Sequence, residues 1–196
     1  MTDLMVAHRQ CGVRIRSTQE NACLMNTALL ELAKHNTWAT NTLIDFCAEL
    51  EPGVLDWTSP GTYGTVLRTL QHLVDAETGY VVRLLQRERP TDWLEESNAG
   101  LPAIRLKANE VGEELLAFLA TDWDTEALGL GHGDDGVVFE IRSTIFLTQL
   151  IHHGNEHRAH VCTVIGAHGV EPPEVSAWGF AEPAGRAWVQ GEQPGA

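Results

Sequence analysis

Apolar residues recur at three- and four-residue steps through Leu29, Leu32, Ala33, Trp38, Ala39, Leu43 and Phe46, and this period predicts an amphipathic helix from Met25 to Leu50. Pro52 and Gly53 end it. After the turn-rich Ser59-Pro60-Gly61-Thr62-Tyr63-Gly64, Thr65 suits an N-cap, and Val66, Leu70, Leu73, Val74, Val81 and Leu85 predict a second helix with His72 in its middle. Pro90 closes that stretch. A polar connection leads to Pro102, which is tolerated in the first turn of a third helix ending near Ala120. Residues 121–142 lose the helical period: Gly129, Gly131, Gly133 and Gly136 surround Asp134-Asp135, and Val137 to Ile141 then read as part of a short hairpin. Ser143 opens a fourth helix through Phe146, Leu150, His153, His157, Val161 and Ile165, stopped by Gly166 or Gly169. These elements predict an all-α fold, a four-helix bundle with a short β-hairpin or irregular insertion before the last long helix. Residues 1–24 are weakly periodic and are expected to form a poorly ordered arm, with Met25 as the functional start. Residues 25–185 then form the bundle domain and 186–196 a C-terminal tail.

Composition narrows the function classes. A hydrophobic fraction of 43% with 20% charged residues is that of a soluble globular chain, and no apolar run approaches the ~20 residues of a membrane span. The balance of 13 basic against 27 acidic residues, a formal charge of −14, repels phosphate backbones and anionic lipid, so neither nucleic acid nor a membrane is an expected partner. Cys11, Cys23, Cys47 and Cys162 form no CxxC pair and read as reduced thiols rather than a disulfide framework. With no secretory signal pattern near the start, a cytoplasmic location is expected.

The densest chemistry lies between Ile151 and His160, where four of the nine histidines fall on one predicted helix. At about 100° per residue, His153 and His157 lie ~40° apart on one face with Cβ atoms ~5–6 Å apart, so both rings can turn onto one ion. His160 shares that face and His152 does not. An open zinc site typically takes three protein ligands, and His72, on the apolar face of the second helix, is the candidate for the third. Each histidine could instead be a hydrogen-bonded core residue or part of a solvated face. Burying several unpaired imidazoles together is costly, however, and a metal satisfies them at once. His153 to His157 also spells HxxEH, the inverted zinc-protease pattern with Glu156 as base, but that family needs a much larger peptide-binding body. Glu156 reads rather as a surface charge.

Four local patterns then resemble the DinB-like, or YfiT-like, metalloenzyme superfamily. They are His35-Asn36-Thr37-Trp38-Ala39-Thr40-Asn41, Gly61-Thr62-Tyr63-Gly64, His72-Leu73-Val74-Asp75-Ala76-Glu77, and His153 through Arg158, with a tail from Trp178 to Arg186 of the same type. The resemblance implies a bundle of distinctive connectivity, often a homodimer, whose three-histidine site is carried by His72, His153 and His157. It implies a divalent ion there, zinc or nickel first, with iron or manganese as alternatives. At His160, glutamine is common in such proteins.

Some members of that superfamily transfer low-molecular-weight thiols of the mycothiol or bacillithiol type. The leading expectation is therefore a metal-dependent thiol transferase acting on a small molecule, with Trp38 and Tyr80 as possible pocket walls and Arg158 or His160 as polar guides. A hydrolase using metal-bound water with Glu156 as base is an alternative, and a non-catalytic, metal-stabilised ligand-binding bundle is another.

Overall fold

The computed structural model describes residues 18–88, 90–132 and 136–188, with side chains from residue 27 onward apart from His132. Residues 1–17 of the expected arm and 189–196 of the tail lie outside the described residues. The long helices are α1 (Thr18–Glu49), α2 (Val66–Leu84), α4 (Leu101–Leu119) and α5 (Ser143–Ala167). Short helices α3 (Leu94–Ser97) and α6 (Ala177–Ala181) sit in the connection after α2 and in the tail, and a single 3-10 turn spans Pro52–Asp56. Strands β1 (Leu128–His132) and β2 (Val138–Arg142) form an antiparallel hairpin pairing Leu128 with Arg142 and His132 with Val138. The fold is thus the expected all-α bundle with a small β insertion before its last long helix. Its first helix begins at Thr18, before the Met25 suggested by periodicity, because residues 18–24 continue the α-helical backbone.

Local chemistry sets the helix ends. Thr65 Oγ1 accepts the Arg68 N–H at 3.1 Å and caps α2. Pro102 stands in the first turn of α4, where a missing N–H costs nothing. Gly61, at φ 82°, takes the left-handed conformation that turns the 59–64 loop toward α2.

The core divides into two apolar clusters. One gathers Leu43 and Ile44 of α1, Leu70, Leu73 and Val74 of α2, Ile104 and Ala108 of α4, and Val161 to Ile165 of α5. The other gathers Ala33 of α1, Val81 and Leu84 of α2, Val111 to Leu119 of α4, and Phe146 to Leu150 of α5. Cluster membership orders the helices: α1 and α5 run one way, α2 and α4 the other, so the chain reverses from α1 to α2 and crosses over between α2 and α4. α2 packs most extensively on α5, and α1 on α4. Gly112 permits the second contact, since a Cβ there would lie 2.5 Å from Thr37 Oγ1.

Between the clusters lies a polar layer. Arg158 of α5, 3% exposed, donates from Nη1 to Asn36 Oδ1 and Thr40 Oγ1, both at 2.9 Å, and from Nη2 to Asn155 Oδ1 at 2.6 Å. Asn36 Nδ2 donates to Glu77 Oε1 at 2.7 Å, and Glu77 lies 3.9 Å from Arg158 Nη1. Burial pushes the Glu77 carboxyl up to about 7, against the opposing pull of Arg158 and Asn36. This layer ties α1, α2 and α5 together at the level of the α5 histidines. The tail is clasped to α1: Phe180 packs on His35 and Trp38, and Arg186 pairs with Glu31 at 2.8 Å.

Candidate metal centre

The three expected histidines meet. His153 and His157 stand one turn apart on α5, with Nε2 atoms 3.1 Å from one another. His72 comes from α2, the helix most closely packed on α5, and its ring centroid lies 5.1 Å from that of His153 and 4.9 Å from that of His157. One nitrogen from each ring can be chosen so that all three lie within 4.8 Å of one another.

Donor chemistry fits a divalent cation. Two nitrogens sharing a tetrahedral ion at ~2.05 Å stand ~3.3 Å apart, close to the Nε2 separation found. Burial pushes His153 down to about 4, helped by His72 and His152, and pushes His157 down to about 4, helped by His153, His72 and His160. Both rings are therefore neutral at pH 7, with lone pairs free to bind metal. The Nδ1 atoms of His153 and His157 are buried without a hydrogen-bond partner among the described residues.

Around the cluster stand groups that periodicity does not mark. The Tyr63 ring stacks on His72 with centroids 4.1 Å apart and planes at 21°, and meets His157 edge-on at 5.1 Å. Glu95 of α3 lies with Oε2 3.4 Å from His72 Nδ1. Tyr63 has a sequence signal in its glycine-flanked loop; Glu95 has none, because a four-residue helix is too short to show a period. A cavity of about 330 Å³ adjoins the cluster, floored by His72, Ala76 and Gly79 and walled by Tyr80 and Trp93.

The remaining candidates separate. Tyr80 reaches the site, its ring 5.9 Å from His153. Trp38 does not, being packed on Phe180 in the tail contact. His160 borders the cluster, 5.3 Å from His157 between ring centroids, but falls outside the set of three. Glu156 is exposed, His152 faces an apolar groove between α1 and α5, and Arg158 is committed to the polar layer.

A helix bundle whose polar midsection lies beside three clustered imidazoles is a scaffold that could hold a metal on helix-borne histidines. The DinB family model matches residues 25–194, most of the chain, and the protein belongs to the DinB family. No curated protein matches the chain.

Proposed function

We propose that His72, His153 and His157 hold a divalent ion, zinc or nickel, and that the protein is a metal-dependent transferase of a low-molecular-weight thiol. The observation that carries this reading is the convergence of three imidazoles from two helices, with nitrogens within 4.8 Å of one another. Three protein ligands are the hallmark of open, catalytic zinc sites, whereas structural sites usually close with four. A bound ion would supply a Lewis acid that makes a thiol a thiolate near neutral pH.

The chain's own groups do the rest. The cavity beside His72 has the size of a small-molecule site, at the low end of the ~300–1,000 Å³ range. Tyr80 and Trp93 offer its apolar walls, and Arg83, whose Nη1 donates to the Gly79 carbonyl at 2.7 Å, adds a cationic group to its lining. Tyr63 covers the His72 ring and limits water access from that side. His160 stands beside His157, 5.3 Å between ring centroids, with a buried Nδ1 that lacks a partner among the described residues. Arg158, by contrast, serves to hold α5 in register. Glu156, the base a hydrolase would need, is exposed.

A homodimer is part of this reading, supported by the apolar groove of about 670 Å³ that Leu29, Leu32, Leu147 and Ile151 help to line. No helix among the described residues is long and apolar enough to cross a membrane. The unpaired thiols of Cys47 and Cys162 suit a reducing, cytoplasmic setting.

Metal analysis of the purified protein beside His72→Ala, His153→Ala and His157→Ala tests the centre: near one equivalent in the wild type and loss in each variant are expected. Unchanged content in all three would end the proposal. Turnover of electrophiles that requires added thiol separates the transferase from a hydrolase, whose rate would be independent of thiol.

A further inference from the structure

The connection between α2 and α4 delivers a carboxylate to the histidine cluster. Buried Asp75 of α2 accepts the Leu94 N–H on Oδ1 at 3.0 Å and the Glu95 N–H on Oδ2 at 2.9 Å. These bonds cap α3 and pin its first turn against α2. Glu95, thereby fixed, places Oε2 3.4 Å from His72 Nδ1. Its other oxygen accepts from the Tyr63 hydroxyl at 3.1 Å and lies 3.6 Å from Arg68 Nη2.

We propose that Glu95 is the positioning carboxylate of the metal centre, holding the Nδ1–H of His72 so that Nε2 is the ligand atom. The inference rests on the metal-binding reading above. A carboxylate only accepts, so the ring nitrogen facing it must carry the proton, and the lone pair is then left on the opposite nitrogen. Tyr63 fixes the plane of the same ring by stacking, and Glu95 fixes its rotation within that plane. His72 needs this more than its partners do. His153 and His157 are held one turn apart by the helix they share, whereas His72 must be aimed across the contact between α2 and α5. No hydrogen-bond partner reaches the Nδ1 atoms of His153 and His157 among the described residues, so the outer support of the cluster is concentrated on His72. A surface ion pair to Arg68 alone would explain little, since such exposed pairs add almost nothing to stability.

The test compares Glu95→Ala and Glu95→Gln in the full chain. In the metal-free protein, long-range proton–nitrogen NMR of His72 should report the Nδ1–H tautomer in the wild type and in Glu95→Gln, whose amide oxygen still accepts. Glu95→Ala should shift the population toward Nε2–H. Zinc affinity, read by competition with a chromophoric chelator, should fall ~10–100-fold in Glu95→Ala and less in Glu95→Gln. A His72 tautomer or a zinc affinity unmoved by Glu95→Ala would overturn the proposal, as would an Nε2–H tautomer in Glu95→Gln should the alanine variant fail to fold. Absence of zinc uptake by the wild type would instead sink the metal reading, and the tautomer alone would then decide whether Glu95 orients His72.

Discussion

His153 and His157 present their Nε2 atoms to each other at 3.1 Å across one turn of α5, a spacing that suits a hydrogen bond between metal-free rings and is close to the ~3.3 Å between two ligands of one tetrahedral ion. Binding to the folded state alone must then stabilise the fold. At a free zinc concentration 100 times Kd, the gain is about 2.7 kcal/mol. A rise in unfolding midpoint on adding zinc is expected for the wild type, and its loss in His72→Ala, measured by thermal denaturation with and without a chelator. An equal rise in that variant would place the zinc elsewhere.

Acid should destabilise the metal-free protein. His153 and His157 are pushed from 6.5 down to about 4 in the fold, so their contribution is present above 6.5 and is lost as the pH falls toward 4. Glu77 acts in the opposite sense: raised from 4.5 to about 7, it contributes stability below 4.5 that is lost as the pH rises through 7. Two histidines against one carboxyl give a net loss between pH 6.5 and 4.5. Glu77→Gln removes the opposing group, so its stability should fall more steeply with acid than that of the wild type. Urea unfolding at several pH values measures both slopes, and parallel slopes would mean that Glu77 does not titrate in this range.

Much of this was legible in the chain. The 3.6-residue period places all four long helices, and the His153–His157 pair follows from helix geometry alone. His72 follows from its position on a face that had to meet another helix. What the period cannot show is pairing across the chain. Asp75 reaches Leu94 and Glu95 through a turn too short to leave a pattern, and so the support of His72 stays hidden. Arg158 depends on the same kind of contact: beside His157 it reads as a site residue, and its partners Asn36 and Thr40 belong to α1 and hold it in the core. Trp38 has a comparable fate, since its partner Phe180 comes from the distant tail.

Gly154 should not tolerate a side chain. A Cβ there would lie 2.7 Å from Asn36 Oδ1 and 3.0 Å from both Arg158 Nη1 and Glu77 Oε1. These atoms are held by hydrogen bonds, so they cannot yield without breaking the polar layer. Gly154→Ala is expected to cost ~1–3 kcal/mol, or ~2–4 °C in midpoint per kcal/mol, despite the better helix propensity of alanine. It should also weaken zinc binding, because Gly154 adjoins His153 and sets the depth of α5 against α1. A stability equal to or above that of the wild type would show that the layer is softer than its bond lengths indicate.

Tyr63 touches the site in two separable ways, through its ring on His72 and its hydroxyl on Glu95. Tyr63→Phe removes only the second, and Tyr63→Ala removes both. The hydroxyl can act on zinc affinity only by holding Glu95, so in a Glu95→Ala background Tyr63→Phe should cause no further loss, a non-additive pair. The ring acts on His72 directly. Tyr63→Ala in that same background should therefore still lose a stacking contribution of ~0.5–1.5 kcal/mol, which is ~2–13-fold in affinity. Chelator competition on the three single and two double variants separates the two effects. Full additivity of Tyr63→Phe with Glu95→Ala would show that the hydroxyl reaches the centre by a route other than Glu95.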